Sequence, residues 1–227
     1  MLSQSEISAA ITGLAWRHVL GVVRTSVPVG SLAQAVAVAA EVTAVAGADA
    51  DAHLWLDVRA DRLIVSVQTR EIARITPSDL DLARRITVAL GAGGFEPDPG
   101  VGGGAGKRAE QVLEIAIDAM DIPAVRPFWK AVLGYVDELP TTGPKGPLVD
   151  PYGQGPAVWF QQMEAPRPQR NRIHIDVSVP HDEAPGRIAA TLAAGGTLVS
   201  DKEAPAFWVL ADAEGNEACI TTWQGRD

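Results

Sequence analysis

The chain has 227 residues, 47% of them apolar, a formal net charge of −9 at neutral pH, and one cysteine, Cys219. That length holds one large or two small domains, and the apolar share is ordinary for a globular protein. The acidity argues against nucleic acid or an anionic membrane as partner, because phosphate binding needs clustered Lys and Arg. The lone cysteine excludes an internal disulfide framework and fits a reducing, cytoplasmic setting.

The first residues lack a basic stretch followed by an apolar core, so no signal peptide is expected. A short helix is predicted over 5–11 and strand-like sequence over 16–27. Ser31 can cap a helix running to Ala46, with Leu32, Val36, Ala39, Ala40 and Thr43 recurring at helical spacing as its packing face. The apolar run 36–48 contains Glu41 and is too short to span a bilayer. Residues 54–58 and 63–68 read as two strands joined by a hairpin turn. Thr76-Pro77-Ser78-Asp79 starts a second helix: Thr76 as cap, Pro77 at the first helical position, Asp79 in the electropositive first turn. Leu80, Ala83, Ile86 and Leu90 form its buried face. The order strand, helix, two strands, helix specifies an α+β layer sandwich over 1–90.

A glycine- and proline-rich stretch, 91–108, reads as a linker, since glycine frees the backbone and proline blocks regular pairing. The remaining residues, 109–227, repeat one pattern twice. Strand 112–118, helix 123–133 and strands near 135–138 and 157–162 come first. Strand 172–179, helix 184–194 and strands near 197–200, 207–211 and 217–222 follow. Two β-α-β-β-β modules sharing a cupped sheet are expected, again α+β.

Side chains alternate across a strand. Ile115 and Ile117 oppose Glu114 and Asp118; Ile173, Ile175 and Val177 oppose His174 and Asp176; Ala218 and Ile220 oppose Glu217 and Cys219. With helices over the apolar side, Glu114, His174 and Glu217 or Cys219 would turn into the cup. Two carboxylates and an imidazole can hold a divalent metal with positions open for substrate. A polar sheet face is also the ordinary solvated face, and both readings stand open. Trp129, Trp159, Phe207, Trp208 and Trp223 either stack on a ligand or fill core.

The stretch Phe128-Trp129-Lys130-Ala131-Val132-Leu133-Gly134-Tyr135, with Arg172-Ile173-His174-Ile175-Asp176 and 212–219, resembles the vicinal oxygen chelate superfamily in its glyoxalase/bleomycin resistance-like branch, over about 112–223. The resemblance implies a small-molecule ligand in the cup and, if the protein is an enzyme, a lyase, isomerase or dioxygenase step; a non-catalytic drug or metabolite binder is the alternative. It implies metal ligation by Glu114, His174 and Cys219, with Cys219 standing where metal-using members carry Glu. His174 and Glu217 would act in proton transfer.

The first half, about 2–90, is similar to a pterin-4a-carbinolamine dehydratase domain, most strongly over 76–83. That family dehydrates its substrate with two adjacent histidines and a third after a Thr. Here those places hold Ala52-His53 and Thr69-Arg70. The resemblance therefore implies a degenerate domain kept for packing, homo-oligomer formation or binding. As an alternative it implies 4a-hydroxytetrahydrobiopterin dehydratase activity, with His53, beside Asp49 and Asp51, as general base.

Overall fold

The computed structural model describes residues 2–98, 100–101, 108–109, 111–167, 169 and 173–225. The chain divides into two compact units, Met1–Val112 and Leu113–Asp227.

In the first unit, helix α1 (Gln4–Ala10) begins at a capping box in which Ser3 and Glu6 satisfy each other's free backbone N–H groups. The strand expected over 16–27 is instead a hairpin of β1 (Arg17–Val19) and β2 (Val22–Pro28). Leu20 and Gly21 turn it with φ of 48° and 75°. Two successive left-handed residues match the twist of paired strands, and Gly21 takes that conformation without a Cβ penalty.

Helix α2 (Leu32–Ala46) is capped by Ser31, which accepts from the Gln34 N–H. Its packing face is Ala35, Val38, Val42 and Ala46. The face expected from spacing is wrong: Leu32 and Val36 are more than half exposed. Apolar residues surround this helix, so periodicity could not select the buried side. With the turns that follow, the helical run Leu32–His53 reaches 22 residues, long and apolar enough by length and composition alone to cross a membrane. Here its inner face belongs to the unit's core.

A one-turn helix, α3 (Ala50–His53), leads into β3 (Leu54–Val58), which pairs with β4 (Arg62–Val67). The four strands run antiparallel in the order β1-β2-β4-β3. Helix α4 (Pro77–Ala92) packs with α2 on the sheet. Val23, Val27, Leu63, Val65 and Val67 from the strands meet Val38, Val42, Ile86 and Leu90 from the helices. The chain beyond α4 stays with this unit at first: Phe95 packs against the core and the Asp98 N–H donates to the Ser26 carbonyl at 2.6 Å. Two short strands, β5 (Gly100–Val101) and β6 (Arg108–Ala109), pair antiparallel. The rest of the expected linker lies outside the described residues.

The second unit carries the repeat. Its first module is β7 (Glu114–Ala119), α5 (Ile122–Leu133), β8 (Val136–Asp137), β9 (Leu148–Val149) and β10 (Ala157–Gln162). The second is β11 (Asp176–Ser178), α6 (Ala184–Ala193), β12 (Thr197–Ser200), β13 (Phe207–Ala211) and β14 (Glu217–Thr221). Both sheets have the order first, fourth, third, second, with the first and fourth strands parallel. The modules share one core rather than one hydrogen-bonded sheet: among the described residues each forms its own four-stranded sheet. Phe128 and Trp129 of α5 and Ile117, Val158 and Phe160 of the first sheet join Leu210, Ala218 and Ile220 of the second in a single apolar cluster. Helix α5 stops at Gly134, whose φ of 70° is the left-handed cap glycine favours. A Cβ on Gly196 would stand 2.6 Å from the Phe128 ring, so only glycine lets this loop approach the helix.

Candidate functional site

The second unit holds a cleft of about 570 Å³ along β7 and the segment entering β11. Both strands are edges of their sheets. Ile115, Ile117, Ile173 and Ile175 line it with Met120 and Trp129; Asp118, Glu217 and Arg167 supply charge.

The wall beside Glu217 is built by the turn 212–216. The Asp212 carboxylate is 3% exposed. Oδ1 accepts the N–H groups of Glu214 and Asn216, each at 2.9 Å. Oδ2 accepts the Asn216 side-chain amide and the buried Trp129 indole N–H, also at 2.9 Å. Glu214 in turn accepts the Met120 and Asp121 N–H groups at 2.9 and 2.7 Å, at the start of α5. Those amides have no partner within their helix, and the negative charge suits the helix dipole. Asp212 and Glu214 thus fasten the second module to the first. The first module has a counterpart at the same place. Asp150 accepts the N–H groups of Tyr152, Gln154 and Gly155. Burial pushes its carboxyl up, but those three donors outweigh it and hold it below the usual carboxylate range. Asp-x-x-Gly recurs at 150 and 212, with φ of 67° at Gly153 and 84° at Gly215. That recurrence is the sequence signal for a structural turn.

Of the residues expected in the cup, Glu217 borders the cleft; Glu114, His174 and Cys219 do not. His174 is exposed and precedes β11, which begins only at Asp176, so the strand expected from 172 is shorter; Arg172 lies outside the described residues. Ile173 and Ile175, its neighbours, turn to the cleft instead. Cys219 is buried in β14 opposite Asp176 and Val209. Glu114 pairs in register with Ala157, and burial together with the Glu114 charge pushes Glu138 above its ordinary value. No three His, Cys, Asp or Glu among the described residues stand close enough to hold a metal ion. Glu114, His174 and Cys219 therefore do not fit a divalent metal centre. The cleft's lining is also more apolar than a polar cup, because the isoleucines of the first strands face it. Trp129 both fills core and lines the cleft, Trp208 packs on the core, and Trp223 is exposed.

A second cluster stands in the first unit. His53 Nδ1 lies 2.8 Å from Asp79 Oδ1, with the carboxylate fully buried and the His side chain 15% exposed. Asp79 Oδ2 accepts the Thr76 N–H at 2.7 Å and the Thr69 N–H at 3.1 Å, with the Thr69 and Thr76 hydroxyls at 2.8 and 3.0 Å. A carboxylate only accepts, so His53 Nδ1 is the donor in this bond. Neither Asp49 nor Asp51 is the partner. The acid that orients His53 is the helix-start Asp79, which spacing assigned only to the first turn. Arg70 donates to the Asp51 carbonyl at 3.3 Å and stands 5.0 Å over the Trp55 ring.

Residues 114–221 match the model of a glyoxalase-like domain, and residues 1–89 that of pterin 4 alpha carbinolamine dehydratase. No curated protein matches the chain. Among solved structures it is similar to a glyoxalase/bleomycin resistance protein/dioxygenase family enzyme from Burkholderia phytofirmans PsJN, 20% identical over 48% of this chain and 95% of that one, with a TM-score of 0.40. It is similar to a transcriptional coactivator/pterin dehydratase from Brucella melitensis, 22% identical over 39% and 96%, TM-score 0.35. The fosfomycin resistance protein FosX from Mesorhizobium loti is 10% identical over 49% and 90%, TM-score 0.39. The C-terminal half thus resembles the glyoxalase-like group and the N-terminal half a pterin dehydratase domain.

Proposed function

We propose that the C-terminal half binds a small organic molecule in the cleft beside β7. The observation that carries this reading is the lining: four isoleucines, Met120 and Trp129 around a few fixed charges. A volume of about 570 Å³ suits a small-molecule site, and an apolar floor with sparse polar groups holds a ligand's body while orienting one end. Asp118 and Glu217 favour a ligand whose polar end donates hydrogen bonds. Any lyase, isomerase or dioxygenase step here would use Glu217 as proton acceptor; binding alone does not need it. A thermal-shift screen of the full chain over planar and apolar compounds tests the reading. A ligand at one hundred times its Kd stabilises the folded state by about 2.7 kcal/mol. Ile175→Glu should abolish the shift and Glu217→Gln should weaken it. No shift across a broad screen retires the proposal.

A specific observation favours a second reading, acid–base chemistry in the N-terminal half: the pairing of His53 with the buried Asp79. Dehydrating a carbinolamine needs a proton for the departing hydroxyl and a base for the ring proton. An imidazole held by Asp79 through Nδ1 can use its other nitrogen in the second role and return the proton in the first. An assay with the pterin carbinolamine decides it: turnover above the uncatalysed rate that disappears in His53→Ala upholds the reading, and turnover indifferent to that change removes it.

A further inference from the structure

We propose that Arg70 makes the His53 site a receptor for an anionic small molecule, one with a carboxylate or phosphate on a flat ring. The inference rests on reading His53 and Asp79 as a working site. Arg70 follows Thr69, which itself lies on the Asp79 carboxylate. Its guanidinium reaches the carbonyl of residue 51 at 3.3 Å and covers the ring of residue 55 at 5.0 Å. The Thr69 hydroxyl stands 3.3 Å from His53 Nδ1, so Arg70 is one residue along the chain from a neighbour of the imidazole. Asp57, Asp61, Asp81 and Asp137 each hold another arginine. Among the described residues Arg70 has no carboxylate within ion-pair distance, and the one hydrogen-bond partner of its guanidinium is a neutral carbonyl.

Guanidinium stays protonated and carries five N–H donors in a rigid fork, so it does not move protons; it holds oxyanions, two oxygens at a time. With one donor on the Asp51 carbonyl, others remain for a ligand. The Trp55 ring, 37% exposed, steadies the guanidinium and offers a flat apolar neighbour to a ring. An anion bound here would hold the rest of the molecule in the neighbourhood of His53. Arg70 is a specificity-determining residue, not a proton carrier.

Matched probes test this on the full chain by calorimetry. Pterin-6-carboxylate is compared with uncharged 6-hydroxymethylpterin, and phenyl phosphate with phenol; the pair that responds identifies the anion. The charged member should bind about tenfold more tightly, less so as salt rises. Arg70→Gln should bring that ratio to about one. Equal affinity within both pairs, no binding by either charged probe, or an unchanged ratio in Arg70→Gln overturns the proposal. The His53 reading fails separately. Anion preference that depends on Arg70 without turnover that depends on His53 upholds Arg70 and removes the base. Turnover of a neutral substrate that needs His53, with no anion preference, does the reverse.

Discussion

Asp79 shows how much one carboxylate can organise. It has no exposed surface, and it ties the end of β4, the start of α4 and the end of α3 together through Thr69, Thr76 and His53. Asp79→Ala leaves those buried donors unpaired and should cost about 3 kcal/mol in urea unfolding, well beyond a lost helix cap. Asp79→Asn should cost less and disturb His53 alone, since an amide oxygen still accepts from the threonines. Glu138 gives a test with a pH sign. Burial first, and the Glu114 charge second, raise its folded pKa above the unfolded value. Ionised Glu138 therefore opposes folding above that raised pKa, and the opposition disappears as pH falls through it. Glu138→Gln should raise the melting temperature at pH 7 and leave it unchanged at pH 3, where the carboxyl is protonated folded or unfolded.

Among the elements, α2 and the turn 212–216 separate what spacing can say from what packing decides. Apolar residues lie all around α2, so the helix was legible from its cap and composition while its buried side was not. Val38→Ala should cost roughly 2 kcal/mol and Val36→Ala less than about 0.5, because only Val38 lies in the core. A reversed order in denaturant melts would mean the helix packs by its other face. The turn is an element in its own right, joining modules through Trp129, Met120 and Asp121. Asp212→Ala strands the indole N–H and two turn amides, and roughly 3 kcal/mol should be lost from the second unit. Gly196→Ala forces a methyl against Phe128 and the Thr191 carbonyl, at a cost of about 1–3 kcal/mol.

At the scale of the molecule, each unit has its own apolar cluster, one from the sheet and helices of the first half, one from the paired modules of the second. Expressed separately, residues 1–112 and 113–227 should each melt in a single cooperative step. A cleft ligand should raise only the transition of 113–227, and an Arg70-dependent anion only that of 1–112. A fragment that shows no cooperative melt by itself would mean that the units do not fold independently.

Local chemistry was readable without coordinates wherever it was carried by neighbours in sequence. The Ser31 and Thr76 caps, the hairpin of β3 and β4 and the twofold β-α-β-β-β pattern follow from periodicity and backbone preference, which act over a few residues. His53 was visible as a lone histidine for the same reason. Its true partner lay 26 residues away, and His174, Glu114 and Cys219 met only as an expectation drawn from strand parity. Parity assigns a side chain to a face but says nothing of where a strand begins. With β11 starting at Asp176, His174 precedes the strand and the isoleucines take the cleft. Long-range convergence depends on strand ends, on which helix face is buried and on buried hydrogen bonds such as those of Asp79 and Asp212, and these are properties of the packed chain as a whole.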